Sequence, residues 1–243
     1  MQRYITDTSN LTLQDIQNTD WDIIQLPFNV DYLGLLDWYR HIKNDLSSAK
    51  FVVSKEYEKY YDSNMLRRWQ AADPSFDSGN PTYWWLLNWS KERYDPLPFS
   101  FIANKELYPE IGDPNFSDQS NPILSKYKFG AFEKLYNKAA KYLLNMRLTV
   151  IPEGSGLHLH VDMPYPNVIA RMHMNLQIHD KCVWYFGHAA EREYILQPGK
   201  VYLVNTAVFH SVINHEGDDW VILYGTPKKE DLESLFKFKP TNV

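Results

Sequence analysis

Between Arg147 and Gly225 the chain breaks into eight short runs of β-branched and aromatic residues, most of them closed by turn signals. They read RLTVIP, GLHLHVD, VIARMHMNLQIH, CVWYFG, REYIL, KVYLVN, FHSVIN and DWVILYG, and PEGSG, QPGK and NHEGDD are among the turns. Strands of this length at this spacing are the signature of a β-sandwich or barrel.

The first half has a different texture. WDIIQLPF (21–28) and KFVVSKEY read as strands. Between them, Asn29 or Asp31 can cap a helix that sets Leu35, Leu36, Tyr39, Ile42 and Leu46 on one face. Residues 57–89 are crowded with aromatics, and TYWWLLNW within them reads as core and helix surface. Residues 108–123 form a loop by their Pro, Gly, Asn, Asp and Ser content. GAFEKLYNKAAKYLLNM is an amphipathic helix with Phe132, Leu135, Tyr136, Ala139 and Leu143 on its apolar face. KKEDLESLFKF closes the chain as a helix. The expectation is one mixed domain over 1–243, mainly β with flanking helices. A helix-containing N-terminal half, 1–146, supplies an outer sheet and the substrate side. A β-rich core follows over 147–227, then a C-terminal helix and tail over 228–243.

Charge and composition narrow the function. A net charge of −5 argues against a nucleic-acid backbone as partner, because phosphate binding needs a basic face. Cys182 is the one cysteine, which excludes an internal disulfide and a thiolate metal cluster and suits a reducing, cytoplasmic setting. No apolar run approaches the ~18 residues of a membrane span, and the first residues hold no apolar leader, so a soluble protein without a membrane partner is expected. The 8 Trp, 17 Tyr and 12 Phe supply core, and aromatics of this kind also line pockets for small organic ligands.

The chemistry gathers in GLHLHVDMPYPN (156–167), where His158, His160 and Asp162 fall at every second position and share one face of a regular strand. An H-x-D pair plus a distant histidine makes the 2-His-1-carboxylate set of non-haem Fe(II) oxygenases. His210 follows 50 residues after His160, room for strands to go out and come back, and alternation sets it on the face of Val212. Between the two, Arg171, His173, Asn175 and Gln177 alternate with Met172, Met174, Leu176 and Ile178. A half-exposed strand shows that pattern, and so does a polar cavity that holds an acid through the planar fork of arginine.

From LTVIPEGSGLHLHVDMPYPNVIARMHMNLQI through LQPGKVYLVNTAVFHSVIN to DDWVILYG, roughly 148–225, the chain resembles the aspartyl/asparaginyl β-hydroxylase family of Fe(II)/2-oxoglutarate dioxygenases, which has proline-hydroxylase relatives. The resemblance implies a double-stranded β-helix (jelly-roll, cupin-like) core. It implies Fe(II) held by His160, Asp162 and His210, with 2-oxoglutarate as co-substrate bound by Arg171 and His173, and Thr149 as the small hydroxyl residue of the first strand. Molecular oxygen and an amino acid, or a peptide Asp, Asn or Pro side chain, are the implied reaction partners. One position departs from the pattern. About ten residues after the distal histidine the family places an arginine that clamps the far carboxylate of 2-oxoglutarate, and here Trp220 stands there. Arg171 then takes the carboxylate alone, Arg147 or Arg192 substitutes, or the pocket binds a different co-substrate or none. A cupin-like metalloenzyme that does not use 2-oxoglutarate would draw on His158 in place of Asp162, and His210 to Asn214 fits its H-x-x-x-N pattern. A non-catalytic β-sandwich binding module is the third reading.

Overall fold

The computed structural model describes residues 3–17, 20–46, 51–53, 82–86, 125–161 and 170–236. In chain order these give β1 (Tyr4–Ile5), α1 (Leu13–Gln17), β2 (Ile23–Gln25), α2 (Tyr32–Leu46), β3 (Phe51–Val53), β4 (Thr82–Leu86) and α3 (Gly130–Ala139). The eight β-type runs then follow as β5 (Leu143–Ile151), β6 (Ser155–His160), β7 (Arg171–Gln177), β8 (Cys182–Phe186), β9 (Arg192–Tyr194), β10 (Val201–Val204), β11 (His210–Asn214) and β12 (Trp220–Pro227), before α4 (Leu232–Phe236).

Successive strands of the core cross between two sheets. One carries β10-β7-β12-β5 and the other β6-β11-β8-β9, each antiparallel throughout. Among these eight strands only β8 and β9 are both consecutive and paired, so the chain winds around the sandwich rather than meandering within a sheet. That alternation is a double-stranded β-helix, a jelly roll. The first half of the chain extends both edges of the larger sheet, with β2 and β1 beyond β10, and β4 and β3 beyond β5. Strands laid on both edges cover backbone groups that would otherwise template pairing with other chains.

The larger sheet is buried on both faces. Met172, Met174, Leu176, Leu148 and Leu223 point out toward the helices and join Leu35, Trp38, Ile42 and Phe132 in one core. Ile151, Tyr202, Val204, Trp220 and Ile222 point inward and meet Trp184, Phe186 and Val212 of the smaller sheet. The polar alternation of β7 is therefore the lining of a barrel and not a wet strand face.

α2 begins where the sequence calls for it. Asp31 Oδ1 accepts the Gly34 amide at 3.0 Å, a cap that contributes about 1 kcal/mol. A glycine inside a helix costs about 1 kcal/mol, and Gly34 has a packing reason to be there. A Cβ on it would come within 2.8 Å of Ala131 Cβ in α3. Trp38 stacks on Phe132 with ring centroids 4.2 Å apart and donates Nε1 to the Tyr127 carbonyl at 2.8 Å, which fixes α2 on α3.

Two elements differ from expectation. The helix from Gly130 stops at Ala139 and tightens into a 3-10 turn over Ala140–Tyr142, after which Leu143 opens β5. Leu143 still packs in the helix-side core, and pairing with β12 down to Pro227 outweighs its helical periodicity. TYWWL is strand β4, paired with β5, rather than helix surface. The 108–123 loop lies outside the described residues.

The N-terminal segment is pinned to the barrel by charge. Asp22, fully buried, accepts from Arg192 Nε at 2.7 Å, Arg192 Nη2 at 3.1 Å and the Tyr194 hydroxyl at 2.8 Å. Cys182 is buried, and burial pushes its thiol up to about 11, so it is a small hydrophobe rather than a nucleophile.

Candidate metal centre

The register brings six strand ends to one mouth of the barrel. His210 at the start of β11 pairs with His160 at the end of β6 and with Phe186 at the end of β8. Arg171 at the start of β7 pairs with Val204 at the end of β10, and its guanidinium donates to the Thr226 hydroxyl near the end of β12. At the opposite end, the Asn214 amide donates to the Ile151 and Asp218 carbonyls, both at 2.9 Å, and closes β11 against β5.

His210 is buried and its ring is fixed on two sides. Nδ1 lies 2.9 Å from the Val208 carbonyl, which can only accept, so Nδ1 carries a proton and in the neutral ring the lone pair falls on Nε2. Backbone-anchored imidazoles of this kind are the ones that ligate metals through the other nitrogen. Trp184 and Phe186 flank the ring at 6.1 and 6.3 Å between centroids.

His160 occupies the position directly across from His210, and opposed residues of an antiparallel ladder belong to one face. β6 is not a regular strand, however. Between the pairs His210↔His160 and Val212↔Leu157, β11 advances two residues and β6 three. His158 and Leu159 together oppose Ser211, a bulge of the kind that re-aims side chains beside active sites. The strict alternation read from HLHVD is corrected accordingly: His158 and His160 are not equivalent rungs. Asp162 lies outside the described residues.

The remaining candidates line the barrel at increasing depth from the mouth. Arg171 stands at the rim. His173, one inward step deeper, packs edge-on to Trp184 at 5.0 Å and face-on to Tyr224 at 5.5 Å. Thr149 is buried on β5 opposite Ile222 of the inner core, with Trp84 of β4 as its other cross-strand neighbour. Trp220 sits at the far end, fully buried, donating Nε1 to Asn175 Oδ1 at 2.9 Å and lying edge-on to Trp184 at 6.1 Å. Of the arginines considered as substitutes, Arg192 is committed to Asp22 and Glu191. Arg147 stands opposite Tyr224 in the register.

Sequence reasoning passed over Trp184. CVWYF reads as an apolar strand, and only the pairing of β8 with β11 shows that Trp184 and Phe186 alternate into the barrel beside His210. Among the described residues Asn175 Nδ2, Trp184 Nε1 and Thr206 Oγ1 are buried side-chain atoms with no hydrogen-bond partner. Buried donors are rarely left unmade. The described part of the set fits a metal, through the Nε2 lone pair of His210.

Residues 126–226 match the aspartyl/asparaginyl beta-hydroxylase family. The match takes in α3 as well as the barrel, so the hydroxylase resemblance read from the strands extends to the helix packed beneath them. Among solved structures, a Pseudomonas putida prolyl-4-hydroxylase is similar at 12% identity and a TM-score of 0.41, over 89% of this chain and 96% of that one. A 2OG-Fe(II) oxygenase-family oxidoreductase from Burkholderia pseudomallei matches at 12% identity and 0.36, over 81% and 91%. A viral collagen prolyl hydroxylase from Paramecium Bursaria Chlorella virus-1 matches at 9% and 0.29, over 39% and 65%. No curated protein matches the chain. No helix among the described residues is long and apolar enough to cross a membrane.

Proposed function

We propose that this β-hydroxylase-like chain is an Fe(II)- and 2-oxoglutarate-dependent oxygenase that hydroxylates an amino acid or an Asp, Asn or Pro side chain in a peptide. The observation that carries the reading is the register of His160 across from His210 at the mouth of a double-stranded β-helix, with His210 held as its Nδ1–H tautomer. In this reading His160, Asp162 and His210 hold the iron. Bound iron with 2-oxoglutarate and oxygen supplies the oxidising power to hydroxylate an unactivated C–H bond.

The chain's own groups bind and orient. Val208 holds the His210 ring, and Trp184 and Phe186 keep water from its flanks. Arg171 and His173 take the polar groups of the acid, with Thr149 as the hydroxyl residue of β5. The first half of the chain forms the substrate side. The single buried cysteine suits a reducing, cytoplasmic setting.

A cupin-like metalloenzyme without 2-oxoglutarate is the second reading, favoured by Trp220 at the clamp position. The two readings part at the ligand set. Asp162→Ala is expected to weaken Fe(II) binding at least about tenfold while His158→Ala leaves it within about threefold, measured by anaerobic competition with a chromogenic chelator. Loss of binding in His158→Ala with retention in Asp162→Ala would reverse the assignment.

A further inference from the structure

A line of aromatic rings leads from the barrel mouth to the surface. His210 stacks on Trp184 at 6.1 Å between centroids, and Trp184 stands directly across the β8–β9 ladder from Tyr194. Such cross-strand partners hold their Cβ atoms about 5 Å apart. Phe186 bridges the two, stacked on Trp184 at 5.9 Å and edge-on to Tyr194 at 5.6 Å. Tyr4 of β1 follows at 5.9 Å from Tyr194, and both tyrosines are half-buried. Trp184 and Tyr194 are the readily oxidised rings nearest the mouth on this line, and they differ in one respect. Among the described residues Trp184 Nε1 has no acceptor for its proton, and the side chain is only 3% exposed. Tyr194 has an acceptor: its hydroxyl donates to Oδ2 of the fully buried Asp22 at 2.8 Å.

We infer that Trp184, Tyr194 and Asp22 form a relay that delivers an electron to the metal site when an oxidant forms there with no substrate C–H bond in reach. The inference rests on the metal site of the oxygenase reading and adds a protective function to it. Without a relay, such an oxidant attacks the rings beside it, Trp184 and His210 first. In the relay Trp184 gives up one electron and the oxidant is reduced by one. With nothing to receive its N–H proton, oxidised Trp184 stays a cation and takes an electron from Tyr194 in turn. A phenol that has lost an electron is a far stronger acid than a carboxylic acid. Its proton therefore passes along the existing hydrogen bond to Asp22, even though Asp22 is paired with Arg192. The balance is one electron from Tyr194 to the metal site and one proton from Tyr194 to Asp22, which leaves a neutral tyrosyl radical. A reductant of the ascorbate or thiol class restores the electron at the half-buried Tyr194–Tyr4 pair, and Asp22 returns the proton.

The test uses the full chain loaded with Fe(II), with hydrogen peroxide as the oxidant, freeze-quenched and read by electron paramagnetic resonance. The expected result is a tyrosyl radical, identified by the narrowing of its signal in protein made with ring-deuterated tyrosine. Tyr194→Phe is expected to lose that signal, and peptide mass spectrometry is expected to find oxygen added to Trp184 beyond the wild-type level. Trp184→Phe, which keeps an aromatic ring but not the oxidisable indole, is expected to lose the tyrosyl signal as well. Asp22→Asn, which keeps the shape but not the proton acceptor, is expected to lose it too. Should that variant fail to fold, the two phenylalanine variants decide. A tyrosyl signal that persists in Tyr194→Phe, or stands unchanged in Trp184→Phe, overturns the relay, and so does peroxide that raises no tyrosyl signal at all. A wild-type signal in folded Asp22→Asn removes Asp22 from it. A second arm with 2-oxoglutarate and oxygen in place of peroxide separates the two claims. A radical with peroxide but neither radical nor succinate in the second arm leaves the relay standing and removes the oxygenase reading. Succinate formed with no radical in either arm overturns the relay and leaves the oxygenase reading.

Discussion

Replacing His210 with alanine is expected to lower Fe(II) affinity by at least about 100-fold and to abolish hydroxylation. Three features of the position concentrate the effect there. The ring is buried, so it is already desolvated and held before any metal arrives. Its Nδ1–H bond to the Val208 carbonyl fixes the tautomer, so no proton has to move for Nε2 to donate. Its cross-strand neighbour in the register is His160, so the two positions stand at one level of one ladder. Alanine removes the ligand and leaves the Val208 carbonyl unmade. Anaerobic calorimetry with Fe(II) measures the loss, and near-UV circular dichroism of the Trp184 cluster checks that the barrel persists. A variant that keeps wild-type iron affinity would remove His210 from the metal site.

The largest effect on stability is expected at Asp22, in a part of the molecule remote in sequence from the barrel's chemistry. Asp22→Ala is expected to cost about 3 kcal/mol, the lower end for breaking a buried ion pair, because Arg192 remains partly exposed and can recover some hydration. The carboxylate accepts a two-pronged bond from Arg192 and another from Tyr194, and Arg3 lies 3.6 Å away. Its removal strands the arginine and frees β2 from β9 in one step. Urea unfolding measures the cost.

The pH dependence has a defined sign. Burial, together with the Asp22 carboxylate, pushes the Tyr194 hydroxyl up to about 12 from its ordinary 10. The folded state therefore holds that proton more tightly than the unfolded chain does. This contribution is fully present below pH 10 and is lost as pH rises through about 12. Tyr194→Phe is expected to flatten that alkaline limb and to lower stability near neutral pH by about 1 kcal/mol for the lost hydrogen bond. An unchanged urea midpoint in Asp22→Ala would show that the network contributes nothing net.

The strands were legible because their signal is local. Period-two runs bounded by turn residues gave all eight core strands, and the cap at Asp31 placed α2. What sequence alone left open depends on pairing. Whether Arg171, His173 and Asn175 face water or a cavity is decided by the second sheet, which lies across from them in space but is built from residues far along the chain. The bulge at His158 and Leu159 exists only relative to β11, so HLHVD in isolation shows a regular ladder. Asp22 and Arg192 are 170 residues apart and carry no mutual signature in the sequence. Trp220 was visible as a departure from the family pattern, but its bond to Asn175 and its edge-on contact with Trp184 needed the register of β7, β8 and β12.

Whether the mouth of this barrel holds iron and 2-oxoglutarate together, as proposed, is read out by anaerobic addition of Fe(II) followed by 2-oxoglutarate, monitored by visible absorption. A metal-to-ligand charge-transfer band is expected that appears only when both are present and is absent in His210→Ala. Iron that binds stoichiometrically but gives no band with 2-oxoglutarate would remove the oxygenase reading and leave the cupin-like metalloenzyme in its place.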